Sequence, residues 1–207
     1  MSSSRLLQEE QLETLRTLWV AQGAPIAQRL RAPLSDAEID KVTESIGVSL
    51  PSEARTWWGW HDGAESDEAV GAELGPDLRF MSLSEAVDQY RFWRGLFEEE
   101  WKGLTDDFYD DPDYWWRPSW LPVTERSGAI RIETAVNPGQ PSPVYWAYFA
   151  DHDAQGLARP RVSSMGEMVD WWIEALEAGS WAFDPGKQRW MEQPERMPPH
   201  RRSSGLI

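Results

Sequence analysis

The sequence predicts an α+β domain, an antiparallel or mixed sheet of about four to six strands with helices packed around it. Three observations carry this. Ser35/Glu38, Ser82/Glu85 and Ser164/Glu167 each precede an apolar run at helical spacing, the pattern of a capped helix. Between the last two, Leu121–Thr124, Gly128–Glu133 and Pro143–Ala150 are short runs rich in Val, Ile, Tyr and Trp, separated by turn residues. Helices followed by strands and then a helix do not make an alternating βαβ chain.

Each element has a local cause. Leu12, Leu15, Leu18 and Trp19 recur every three to four residues, an amphipathic helix of about four turns that Gly23 and Pro25 stop. Pro25 can open a short second helix through Ile26 and Leu30, because its missing N–H is not needed there. Ser35 and Glu38 cap a helix whose stripe is Ile39, Val42 and Ile46, with Gly47 suited to a left-handed end. Leu50-Pro51 starts the next helix, with Pro51 at its first position. Trp57, Trp58 and Trp60 crowd its end before the His61-Asp62-Gly63 turn. Residues 62–77 hold six acids and no base, an exposed loop that includes Glu65, Asp67 and Glu68. Leu78–Met81 reads as a short strand, and a helix runs from residue 83 to about residue 100 on Leu83, Val87, Tyr90, Trp93 and Phe97. Residues 98–113 hold eight acids against one base, Lys102, and Trp115 and Trp116 follow closely. Glu125–Ser127 and Asn137–Gly139 turn the strands of an antiparallel meander. A short strand at Arg161–Ser163 leads to the last helix, on Met165, Met168, Val169, Trp172 and Leu176, which Gly179 ends. The expected organisation is an N-terminal helical extension (1–33), a domain (34–186) with an acidic, Trp-rich insert at about 98–119, and a disordered Pro/Arg tail (187–207).

Composition narrows function. The chain has 207 residues, enough for one domain with extensions or at most two small ones. Acids outnumber bases 35 to 20, a formal charge of -15, which argues against general affinity for nucleic acid or anionic membrane. There is no cysteine, so disulfides, thiolate metal sites and a Cys nucleophile are excluded. No apolar run approaches the roughly 20 residues that cross a bilayer, and no signal-peptide pattern opens the chain. A soluble cytoplasmic protein, monomeric or weakly dimeric, is the expectation. Fourteen Trp are more than a core of this size needs.

Three stretches are informative together. Leu34–Gly63 reads LSDAEIDKVTESIGVSLPSEARTWWGWHDG, a capped helix, a Gly turn, Leu-Pro and an aromatic helix end before Asp-Gly. Trp120–Ile132 reads WLPVTERSGAIRI, strand, turn, Gly, strand. Val144–Trp172 runs from a Val-Tyr strand through Ser163-Ser164 to an aromatic helix. In this order they resemble the SMI1/KNR4 family, also called the SUKH superfamily, over about residues 34–178. The resemblance implies a small α+β domain and a non-catalytic role. Many bacterial members look like immunity proteins that bind and neutralise a cognate toxin, and fungal members are regulators of cell-wall synthesis. The acidic insert and the N-terminal helix depart from the family pattern.

Catalytic and metal patterns are weak. His61 adjoins Asp62 and His152 lies between Asp151 and Asp153, but no zinc spacing such as HExxH is present, and local structural roles are favoured. Asp106, Asp107, Asp110, Asp111 and Asp113 lack the Gly and Glu positions of a calcium loop, so a solvated acidic loop is favoured. Nucleophile-elbow, dinucleotide and Walker patterns are absent. The expectation is therefore no catalysis, no cofactor and no metal.

The expected partner is a cognate protein, possibly a basic toxin. It would be held by residues 62–77 and 98–116, through Glu65, Asp67, Glu68, Asp106, Asp107, Asp110, Asp111, Asp113, Trp115 and Trp116. In such a surface, indoles supply burial and acids supply steering. Trp115 and Trp116 fit equally a role of anchoring the insert to the core. The alternatives are a cell-wall-related regulatory or carbohydrate-binding protein, a small hydrolase using an Asp/Glu pair, and a scaffold whose Arg-bearing tail meets a second partner.

Overall fold

The computed structural model describes residues 5–65, 71–96, 98, 116–125, 130–146 and 160–201. Five α-helices lie among them: α1 (Glu9–Gln22), α2 (Asp36–Glu44), α3 (Ser52–Trp60), α4 (Leu83–Gly95) and α5 (Met165–Glu177). Eight strands accompany them: β1 (Glu73–Gly75), β2 (Leu78–Phe80), β3 (Trp120–Pro122), β4 (Thr124–Glu125), β5 (Ile130–Glu133), β6 (Val144–Trp146), β7 (Trp181–Asp184) and β8 (Arg189–Glu192). The expected α+β class holds.

Local chemistry sets the helix starts. Ser35 and Ser82 each accept from the N–H of the Glu three residues on, and each Glu carboxylate returns to the Ser backbone N–H. Ser164 also accepts from Glu167 N (2.9 Å), but the Glu167 carboxylate bonds Ser163 N and Oγ instead. Pro51 is the N-cap of α3 rather than its first residue. Gly23, Gly47 and Gly179 supply the positive φ angles at helix ends.

The strands form three small antiparallel sheets rather than one meander: β1-β2-β4, β3-β5-β6 and β7-β8. Chain continuity explains the split. Pro122 pairs with Arg131 in one sheet, and two residues later Thr124 pairs with Phe80 in another. Buried Val123 makes the crossing, its N–H donating to Ile130 O at 2.8 Å. Pro122, which has no N–H, lies on edge strand β3, where a proline is tolerated.

Most of the tryptophans have a place in the interior. Trp19, Trp57, Trp58, Trp116, Trp171, Trp172 and Trp181 are among the largest fully buried side chains. Several indole N–H groups reach carbonyls across the core, Trp19 to Leu74 O (2.9 Å) and Trp58 to Met81 O (3.2 Å). Trp93 is only partly buried.

The N-terminal helical extension is integral to the core: Leu12, Leu15 and Trp19 are fully buried there and α1 packs on α5. At that junction, a Cβ on Gly166 would lie 2.4 Å from Arg5 O, so only glycine lets the two segments meet. Residues 187–201, expected to be disordered, are ordered. β8 pairs with β7, Met197 is fully buried, and Arg201 Nη2 donates to Glu174 Oε1 at 2.7 Å. Proline and arginine content argued for disorder there, but Trp190 and Met197 bind the segment to the core.

Candidate partner-binding surface at the foot of the acidic insert

The β3-β5-β6 sheet is covered on both faces. Paired residues share a face, so Leu121, Ile132 and Val144 turn toward the main core. On the opposite face Pro122, Arg131 and Tyr145 pair in register, with Trp120 two residues before Pro122. Trp116, Trp120 and Tyr145 form a second, separate cluster there, against which Tyr90 and Trp93 of α4 pack.

Arg131 lies inside this cluster. Its guanidinium carbon is 4.3 Å from the Trp116 ring centroid and 4.9 Å from that of Trp120, a cation held between two indoles. Burial pushes its pKa down to about 9, so the charge is retained at neutral pH. Trp116 also stacks on Trp93 (5.9 Å between centroids, 11° between planes), and its Nε1 donates to Trp120 O at 3.1 Å.

This cluster meets α4 beside both Glu98 and Trp116. Arg94, in the last turn of α4, pairs with the Glu98 carboxylate, and its Nη1 donates to Trp116 O at 2.7 Å. Tyr90 Oη donates to Pro118 O at 3.1 Å. One arginine therefore bridges the departing and returning flanks of the insert, and α4 carries both. Phe92, which helical spacing sets roughly opposite Tyr90 and Arg94 on α4, is 60% exposed, and its ring meets Trp93 edge-on at 5.3 Å.

Of the residues expected at a partner surface, Glu65 is exposed, and its N–H donates to Arg29 O at 2.8 Å. Asp67, Glu68, Asp106, Asp107, Asp110, Asp111, Asp113 and Trp115 lie outside the described residues. Trp116 is 1% exposed, so of its two readings it takes the anchoring one. Sequence reasoning missed Arg94, Arg131 and Phe92. A signal for Arg131 existed: an arginine alternating with Ile130 and Ile132 in a buried strand needs a second, cation-tolerant interior on the far face.

A charged network flanks the start of α4. Arg79 bonds Glu85 (2.9 Å) and Glu125, and Gln89 Nε2 donates to Glu125 Oε1 at 3.1 Å. Burial opposes the Glu85 charge, but Arg79 and Ser82 outweigh it and hold its pKa below the ordinary carboxylate value. Asp62 Oδ1 accepts from Leu83 N (2.7 Å), yet burial dominates and raises the Asp62 pKa. Gly63 follows with φ 73°, and a Cβ there would lie 2.5 Å from Ser82 N, so the turn requires glycine. His61 Nδ1 lies 2.6 Å from Arg31 O, a structural contact; His152 is outside the described residues. Among the described residues, no group of three or more His, Asp or Glu is placed to hold a metal ion. No helix among them is long and apolar enough to cross a membrane.

A family model described as SMI1 / KNR4 family (SUKH-1) matches residues 33–171. No curated protein matches the chain at a significant level.

Proposed function

The chain belongs to the SMI1/KNR4 family (SUKH-1), and from that premise we propose that it is a non-catalytic, immunity-type binding protein that acts in the cytoplasm. It holds and neutralises a basic toxin domain through the acidic insert. The observation that supports this most directly is the Arg94 bridge between Glu98 and Trp116 O. It fixes the flanks of a segment with eight acids and one base at one place on the domain. Exposed charge pairs contribute only about 0.2–1 kcal/mol each, so the insert sets encounter rate and selectivity. Affinity rests on apolar side chains that become buried at the interface.

The test begins with capture of the partner from the native host and co-expression with it. Growth rescue by this chain is expected. Replacing Asp106, Asp107, Asp110, Asp111 and Asp113 together by Asn should then slow association and flatten its salt dependence. A partner without toxicity, or an unchanged association rate, contradicts the proposal.

A further inference from the structure

The β7-β8 hairpin lies outside the residues that match the family model, and its two edges are treated differently. Gln22, the last residue of α1, closes the β7 edge. Its Oε1 accepts from Phe183 N (2.7 Å) and its Nε2 donates to Trp181 O (3.4 Å), so one side-chain amide takes the place of a neighbouring strand. Backbone groups in an antiparallel pair alternate between facing the partner strand and facing away from it. Trp181 and Phe183 face Gln22, so Glu192 and Trp190, which pair with them, face away from β7. In phase with this, Gln193 N faces inward and donates to Ser180 O at 2.7 Å. Among the described residues, no backbone bond takes up the outward N–H and C=O groups of Trp190 and Glu192. One edge of the hairpin is guarded, and the other presents main-chain donors and acceptors two residues apart.

The side chains at the open edge add a second selection. Trp190 and Glu192 share one face of β8. The Trp190 ring meets Phe183 edge-on at 5.5 Å and its Nε1 donates to Glu73 O at 3.3 Å, so the indole is fixed while staying partly exposed. Burial, then the Asp77 carboxylate, raises the Glu192 pKa, and no described cation offsets them. We propose that β8 receives an extended segment of the protein partner as an added antiparallel strand, with an apolar residue opposite Trp190 and, two residues away, a Lys or Arg opposite Glu192. A second copy of this chain is the poorer occupant, because each copy brings a formal charge of -15. This rests on the reading that the partner is basic, but it uses no residue of the insert.

The probe is the peptide acetyl-Lys-Thr-Val-Thr-Lys-amide, whose Lys and Val side chains fall on one face of a strand. It is titrated into the full chain labelled with ¹⁵N. The Trp190 and Glu192 amide resonances should shift saturably and their hydrogen exchange should slow about fivefold or more, while the Phe183 amide, held by Gln22, keeps its position. The same peptide N-methylated at Val cannot donate to the edge, and it should shift these resonances about fivefold less. The peptide with Glu in place of both Lys should do the same. Glu192→Gln should weaken binding of the Lys peptide about two- to fivefold, the range of one exposed charge pair. Unmoved amides, a methylated or Glu peptide that acts like the Lys peptide, or a Glu192→Gln variant that binds like the native chain overturns the proposal. So does a shift of the same amides with protein concentration alone, which would put a second copy on the edge. The variant with five Asp→Asn changes in the insert should keep the peptide response; its loss overturns the assignment to β8 while the role of the insert stands. Absence of growth rescue with the peptide response intact removes the toxin reading and leaves the strand site.

Discussion

Glu53 offers the most severe test of how this fold is held. Its side chain is 1% exposed and accepts three backbone N–H bonds from segments far apart in sequence. Oε1 accepts from Leu7 N (2.8 Å) and Gly166 N (2.9 Å), and Oε2 accepts from Ser142 N (2.6 Å). Gly166 is in the first turn of α5, so the helix dipole favours an acid there. Glu53→Gln can keep its amide oxygen at the Oε1 position. Its NH₂ then faces the Ser142 N–H, donor against donor. The loss is one bond to a charged group plus one unsatisfied buried donor, about 2–4 kcal/mol. Glu53→Ala orphans all three N–H groups at about 1–3 kcal/mol each, about 3–9 kcal/mol in all. Urea unfolding read by Trp fluorescence should rank the stabilities Glu, Gln, Ala. In a chain of this size the Gln variant should melt roughly 4–16 °C lower. A Gln variant within about 0.5 kcal/mol of native, or an Ala variant no worse than Gln, would refute the assigned role of the carboxylate.

Two further outcomes follow from burial. A carboxyl with a raised folded-state pKa contributes stability that is complete below its ordinary pKa and lost as pH rises through the raised value, so Asp62 weakens the fold at neutral pH. Asp62→Asn keeps an acceptor for Leu83 N without a charge to desolvate; its melting temperature should exceed that of the native chain at pH 7, with the gap closing toward pH 3, and a lower value at pH 7 would contradict this. A chain beginning at residue 25 loses the fully buried Leu12, Leu15 and Trp19, at about 1.5–3 kcal/mol each, against a typical total stability of about 5–15 kcal/mol. It should show no cooperative thermal transition by calorimetry, and a sharp transition would show that α1 is dispensable.

What could be read from sequence was what is decided locally. Ser35/Glu38 and Ser82/Glu85 bond each other within one helical turn, so the pattern and the contact coincide. Ser164/Glu167 already shows the limit: Ser163, one residue upstream, takes the Glu167 carboxylate. The three sheets were not legible, because the switch at Val123 depends on Phe80, far upstream, which takes Thr124 as its partner. The same holds for the tail, where Met197 is buried by residues it could not be matched to from composition. Adjacent Trp115 and Trp116 could not be assigned either, since the fate of Trp116 is decided by Trp93 and Arg131 across the cluster.

The two-faced β3-β5-β6 sheet gives a physical reason for the insert to sit where it does. Ile130, Ile132 and Val144 belong to the main core, whereas Trp116, Trp120 and Tyr145 belong to the second cluster. A change at Trp116 is therefore felt first among the rings around Arg131, not in the close-packed interior where one methylene is felt. Stacked indoles about a guanidinium hold their geometry through broad faces, which tolerate sliding better than interdigitated aliphatics do. Arg94 and Tyr90 then fix the flanks by bonds to backbone carbonyls of Trp116 and Pro118, contacts that do not depend on which side chains lie in between. Glu98 and Trp116 are thus held by α4 and the second cluster rather than by the main core, so a substitution at either end of that segment should cost less than one among Ile130, Ile132 and Val144.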